Sequence, residues 1–565
     1  MSPAQRRIAR GAALGLVGAG ILVPVAAGLW QTTLTAFGMV PGLSQTGPSL
    51  RPWRELVALP GALESLRLSL VTGLSATLLA LILSLGLVAA LTTARRMRLA
   101  RQMLAPILAA PHAATAIGLA FLIAPSGWIA RLLSPWATGW QVPPDIATVH
   151  DRAGLALILG LLVKEVPFLA LMALGALSQV PARQQIASAR ALGMARAEAW
   201  ARVVLPQVYA RIRLPVFVTL AFSLSVVDMA IILGPSTPPT LAVAVTRWLQ
   251  APDVMRMMPG AAGALAQLGV MLLAMLIWVT GERALAAVGR ALARRGARRS
   301  GTGFGLRVAG GLAVLLTVLG LLALMVLALW SVTWRWSFPN ALPQQWSLRL
   351  WRDGAEGLAS TAGATLEIAL AATLVALILA IGWLQAEGPR ARRLSTLLLL
   401  PLLIPQVSFL FGLDIAFLRT GLPEGWVAVV WGHVLYVLPY VMIVLAGPWR
   451  AFDRRLEATA AALGAGPVRR LIAVRLPVLL GPLTAAAAVG VAVSVAQYLP
   501  TLFLGAGRVA TLTTEAVTLS SGPDRRIAAI YALMQAALPW LGFALALGLP
   551  ALAFRNRRGL RGGVE

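Results

Sequence analysis

The side chains able to do chemistry are few, and several of them sit where charge is costly. Lys164 and Glu165 lie within one long apolar stretch, Asp228 in another, and Asp414, His433 and Gln497 in three more. An unpaired charge at bilayer depth costs a few kcal/mol or more, so such residues face the protein interior or a solute path. These six are therefore the candidate solute-pathway residues. Lys164 and Glu165 point about 100° apart on a helix and cannot simply neutralise each other, which leaves Asp228 as the expected partner of Lys164. The bland alternative is that Lys164 and Asp228 merely pin two helices together. Lys164 is also the only lysine of the chain. A Walker A loop needs Gly-Lys-Ser/Thr, so no nucleotide-binding signature is present. With no cysteine and three scattered histidines, the sequence offers no thiolate or histidine metal site and no thiol nucleophile. We expect no catalytic residue, no metal and no cofactor.

A second set of residues is defined by spacing. Ala187-Ser188-Ala189-Arg190-Ala191-Leu192-Gly193 is followed after twelve residues by Pro206, and Ala458-Thr459-Ala460-Ala461-Ala462-Leu463-Gly464 is followed at the same interval by Pro477. An Ala-rich stretch forms helix readily, a glycine permits the left-handed turn that ends it, and Leu205-Pro206 or Leu476-Pro477 pre-sets the next helical turn. One such loop would be unremarkable. Two at one spacing call for a common cause.

The elements that must carry these residues follow from the solvent. With 59% hydrophobic and 12% charged residues and a mean hydropathy of +0.81, most of the 565-residue chain belongs in lipid. A helix needs about 20 apolar residues to cross a bilayer. Twelve stretches qualify: 11–30, 66–91, 103–124, 153–177, 214–234, 260–280, 308–330, 363–384, 396–418, 426–446, 478–504 and 528–553. The first is read as a retained span, because it is long for a signal peptide and lacks a small-residue cleavage site. The net charge of +28 is gathered in alternate connections, among them Arg95 to Arg101, the loop from Arg183 to Arg213, the linker 282–307, Arg450 to Arg475 and the tail from Arg555. That alternation marks cytoplasmic loops, placing both termini in the cytoplasm, and it argues against a nucleic-acid partner. The other connections carry Trp128, Trp136, Trp140, Trp334, Trp336 and Trp351, as an outer interface does.

The linker divides the chain into 1–281 and 308–565, each with six spans, and the halves repeat. Gly193 matches Gly464, Pro206 Pro477, Gly234 Gly505, Thr240-Leu241 Thr511-Leu512, Pro111 Pro405, Gly118 Gly412, and Pro167-Phe168 Pro439-Tyr440. Six spans return the chain to the same side, so the copies run parallel. The positions of the second half that match Lys164 and Asp228 are uncharged, Leu435 or Tyr436 and Leu499. The two halves thus present different chemistry to their interface.

At these loops the sequence resembles the type I importer permeases of ATP-binding-cassette (ABC) transporters, over about 66–280 and 363–553. Their signature loop reads Glu-Ala-Ala, three residues, Gly, and a downstream hydrophobic-Pro pair. The resemblance implies an all-α polytopic membrane fold of about twelve spans. It implies that Ala187, Ala189, Gly193, Leu205 and Pro206, with Ala458, Ala460, Gly464, Leu476 and Pro477, form two coupling helices that dock on an ATPase. The signature Glu is replaced by Ala187 and Ala458, with Glu457 one residue early. The fused arrangement is similar to the single-chain permeases of ferric-iron and thiamine importers. It implies a separate ATPase homodimer, a periplasmic solute-binding protein, membrane lipid around the spans, and a bacterial inner-membrane location. The rival readings are a twelve-span secondary transporter, which expects a Gly/Asp-rich loop after its second span that 92–102 lacks, and an integral membrane enzyme, for which clustered acids are missing.

Overall fold

The computed structural model describes residues 3–39, 47–91, 94–294, 302–422 and 425–555. The centre of the linker with Arg298 and Arg299, and the tail arginines Arg557, Arg558 and Arg561, lie outside them. Among the described residues the protein is all-α apart from one two-stranded ladder, Thr333–Arg335 with Gln345–Trp346. Among the described residues ten helices are long and apolar enough to cross a membrane. Two further pairs, Ala391–Leu402 with Gln406–Thr420 and Pro467–Val478 with Leu480–Val495, bend by 92° and 79°, so each of the twelve expected stretches has a counterpart.

Several stretches that read as single spans are broken. Helix Ala94–Ala109 stops before Pro111, whose extended backbone precedes a new helix, His112–Ile123. The same happens at Pro405 before Gln406–Thr420. A proline lacks the N–H of the helical ladder and drives the residue before it out of helical geometry. Helix Leu205–Ser225 ends at extended Val226 and restarts as Asp228–Leu233, and Leu480–Val495 gives way at Ala496 to 498 before Leu499–Leu504. In the other direction, Met257–Arg294 continues well past residue 281, because 282–294 is rich in Ala, Leu and Arg, all strong helix formers.

The surface confirms the solvent. Leu366, Leu370, Leu374 and Ile378 on Ala355–Ala386 recur every four residues and are all exposed, as are Leu541, Leu545, Leu549 and Leu552 on Arg525–Ala553. In water such stripes would aggregate; in a bilayer they are the lipid face.

The opening helix of each half packs on the other half. Pro3–Ala36 lies against Gln406–Thr420 and Ala355–Ala386, while Thr302–Ser331 lies against Ala62–Ala90 and His112–Ile123. Small residues permit the crossings. A Cβ on Gly412 would stand 1.9 Å from the Gly28 carbonyl oxygen, and one on Gly118 would stand 2.3 Å from that of Ala323. Backbone contact of this kind is how membrane helices gain dispersion energy where lipid removes the hydrophobic drive between them.

Candidate functional site

The two Ala-rich loops have closely similar geometry. Helix Ala182–Ala191 runs into Leu192 and then Gly193 at φ +83°; helix Arg454–Ala462 runs into Leu463 and then Gly464 at φ +82°. The Gly193 N–H donates to Arg190 O at 2.9 Å and the Met194 N–H to Ala189 O at 3.1 Å. Their counterparts are Gly464 to Ala461 at 3.0 Å and Ala465 to Ala460 at 2.9 Å. Both glycines therefore use the left-handed conformation that a side chain resists. Ala187 and Ala458 face solvent, whereas Ala189 is buried and Ala460 half-buried. Leu192 and Leu463, 79% and 83% exposed, stand out at the tips.

Each loop re-enters the bundle through a π-helical turn, Trp200–Val204 and Leu471–Arg475, after which Leu205-Pro206 and Leu476-Pro477 follow. Leu-Pro opens the α-helix that follows the turn, Leu205–Ser225 in one loop and Leu476–Val478 in the other, with proline in its first turn. In the first half one continuous helical run, Arg196–Ser225, contains the turn, and in the second the chain bends just beyond it. The wide turn spares the carbonyl that a proline ring would otherwise strike.

Beneath the loops lie supports that the sequence reading missed. Gln185 and Gln207 exchange side-chain hydrogen bonds at 3.2 and 2.9 Å. In the second loop Glu457 meets Arg475 at 3.4 Å, and that guanidinium also donates to Trp449 O and Gln385 and stacks on the Trp449 ring at 4.3 Å. The signal was available: the repeat register sets Glu457 and Arg475 opposite the apolar Ile186 and Val204 of the first loop.

The intramembrane residues are distributed differently from expectation. Lys164 does not pair with Asp228. Its Nζ donates to the carbonyls of Ile107, Leu108 and Ala110 at 2.7, 3.2 and 2.5 Å, the groups left without partners where the helix breaks at Pro111. Glu165 points elsewhere, accepting from Thr219 Oγ1 at 3.1 Å. Asp228 takes the first position of Asp228–Leu233, where a carboxylate faces free N–H groups. His433 is buried, with Nδ1 2.7 Å from Ser494 Oγ and Nε2 3.0 Å from Thr501 Oγ1, joining three helices. Gln497 sits in the break before Leu499–Leu504, and Asp414 is half-buried on Gln406–Thr420. No hydrogen bond or ion pair joins any two of the six among the described residues.

A bundle of long apolar helices, several of them broken within their apolar stretches, with two Ala-rich loops of like geometry is the build of a membrane transport subunit. No family model matches the chain. It is 35% identical over 517 residues, 91% of its length and 93% of the relative's, to the inner membrane ABC transporter permease protein YnjC of Escherichia coli (strain K12). The chain belongs to the ABC transporter permeases: it is a multi-pass inner-membrane transport subunit and not an enzyme.

Proposed function

We propose that the chain is a two-halved permease of an ATP-driven importer, with 1–281 and 308–565 as parallel repeats, a cytoplasmic linker between them and both termini cytoplasmic. The observation that carries this reading is the pair of loops ending in Gly193 and Gly464, alike in backbone torsions, hydrogen bonds and exposed leucine tips. Two equivalent tips suit two equivalent sockets, so the ATPase is a homodimer. Ala187, Ala189, Gly193, Leu205 and Pro206 shape one coupling helix, and Ala458, Ala460, Gly464, Leu476 and Pro477 the other. The solute comes from a soluble binding protein on the opposite face, as in the ferric-iron and thiamine importers that the fused arrangement resembles.

The solute path runs past the mid-membrane breaks, where transporters expose backbone and polar groups to a cavity. Asp228 and Gln497 lie at those breaks, with Glu165 close by in sequence space to Lys164. Lys164 supports the path by holding the bend at Pro111, and His433 by tying the second-half helices; Asp414 lies further along it. The test is purification of a tagged chain from native membranes. An ATPase and a soluble binding protein should accompany it; a chain that transports with neither partner overturns the importer reading.

A further inference from the structure

Two arginines from opposite halves meet at the end of the spans remote from Gly193, the end from which Leu155–Leu177 leads to the Gly193 loop. Arg131 stands on the short helix Trp128–Leu133, which a turn at Ser126 and Gly127 joins to His112–Ile123, and Arg525 opens the last helix, Arg525–Ala553. Both donate to one carbonyl. Arg131 Nε reaches Ser126 O at 2.9 Å and Arg525 Nη1 reaches the same oxygen at 3.3 Å, with Arg525 Nη2 on Ser126 Oγ at 2.9 Å. Arg131 Nη2 also donates to Trp336 O at 3.3 Å. Their guanidinium carbons lie 5.8 and 5.7 Å from the centre of the Trp330 ring, near the end of the second half's opening helix. The Trp336 ring, 4.9 Å from Arg131, and the Phe121 ring, 5.5 Å from Arg525, add to the aromatic wall.

This cluster holds two like charges and no acid. Among the described residues neither guanidinium has an ion pair, and Asp524, next to Arg525 in sequence, has both carboxylate oxygens engaged by Arg526 at 2.9 and 2.7 Å. Ring faces attract a cation but carry no net charge, so they soften the repulsion without cancelling it. Donors are in excess as well. Arg131 is 4% exposed, and its Nη1 has no acceptor among the described residues; Trp330 is 8% exposed, and its Nε1 has none either. Buried donors are nearly always paired. Arg525 is half-buried and uses only two of its five N–H groups. What the cluster lacks is acceptor oxygen and negative charge.

We propose that the cluster binds a phosphate group, with Arg131 Nη1, Trp330 Nε1 and the remaining N–H groups of Arg525 as donors. Phosphate supplies both missing things, and its tetrahedral oxygens accept from donors that come from three separate elements. The source at this depth is a phospholipid headgroup. Tryptophans gather where headgroups lie, and the connections that carry the site also carry the exposed Trp136, Trp334 and Trp346. Leu132 and Leu133, next to Arg131 and 43% and 40% exposed, offer apolar surface to an acyl chain. Free inorganic phosphate has the same chemistry at the donors and no use for those leucines. The bound group would bridge the first half, through Arg131, to the second, through Trp330 and Arg525, so binding should stabilise the join between the halves. The site stands whether or not the chain is an importer.

The test follows thermal unfolding of the purified full chain by circular dichroism in dodecyl maltoside, which has no phosphate, while phosphatidylglycerol is titrated in. Native mass spectrometry reads what stays bound. Phosphatidylglycerol should raise the midpoint and remain on the chain, whereas diacylglycerol, with the same chains and no phosphate, should do neither. Trp330→Phe keeps a ring and removes the N–H, and Arg525→Gln removes a charge. Each should raise the half-saturating lipid concentration about tenfold, as loss of a hydrogen bond to a charged group does. Arg131→Gln should act likewise, and the other two variants carry the test if it fails to fold. Sodium phosphate against sodium chloride at equal ionic strength separates the sources: a midpoint rise lost in the same variants makes free phosphate a ligand and keeps the site. A phosphatidylglycerol titration unchanged by Trp330→Phe plus Arg525→Gln overturns it, as does an equal rise with diacylglycerol. No rise from either phosphate source leaves the arginines as a structural pin only and also overturns it.

Discussion

Substituting Gly412 by alanine should loosen the join between the opening helix and the second half. The added Cβ would stand 1.9 Å from the Gly28 carbonyl oxygen and 2.6 Å from the Thr32 amide nitrogen, both backbone atoms that no rotamer change moves. Carbon–oxygen contacts of this type settle at about 3.3 Å or more, so the helices must part by about 1.4 Å at the crossing. Overpacking of a tight site costs about 1–3 kcal/mol, and a clash with rigid backbone belongs near the top of that range. The usual preference for alanine over glycine within a helix offsets about 0.5–1 kcal/mol, leaving a net loss of about 2 kcal/mol. Thermal unfolding in nanodiscs, followed by tryptophan fluorescence, should show a lower midpoint for Gly412→Ala. Gly269→Ala, where the new Cβ meets nothing within 4 Å, should be neutral or stabilising. A midpoint for Gly412→Ala at or above that of the unmodified protein would refute the packing argument.

Further outcomes are expected elsewhere in the molecule. Gly193→Val plus Gly464→Val forces β-branched residues into the left-handed region at a cost of about 1–3 kcal/mol each, so the ATPase recovered per permease should fall while membrane insertion holds; full recovery would free both turns from docking. Lys164→Met leaves three carbonyls without their donor, at about 1–3 kcal/mol per buried group, so the yield of assembled complex should drop. Normal assembly with abolished uptake would instead return Lys164 to the solute path. The Asp524 carboxyl is held below its ordinary value, first by the Arg526 guanidinium that hydrogen-bonds it. Its stabilising effect is therefore complete above the unfolded value of about 3.9 and is lost as pH falls through the lower folded value. Asp524→Asn should lower the midpoint at neutral pH and flatten its decline below about pH 4; parallel profiles for the two proteins would contradict this.

Much of this was legible in the sequence, for physical reasons that differ by element. Spans are set by the length of apolar runs, which the bilayer dictates. Gly193 and Gly464 were legible because few residues other than glycine end a helix in the left-handed region. The breaks at Pro111 and Pro405 carried a signal, proline, that a hydropathy window averages away, while Val226 and Val227 carry none. The partners of Lys164 could not be read because they are main-chain carbonyls, freed only by a break 53 positions upstream in the chain at Pro111. The packing of Pro3–Ala36 on the opposite half left only the small residues Gly28 and Gly412 as a trace.

The central claim, a permease whose paired loops couple it to a separate ATPase, is tested most directly by ATP hydrolysis of the complex purified on this chain and reconstituted in nanodiscs. The account predicts hydrolysis that rises several-fold with the binding protein and loses that rise when Gly193 and Gly464 are both valine. A chain that reaches nanodiscs from native membranes without any ATP-hydrolysing subunit, and moves solute on an ion gradient alone, would contradict it.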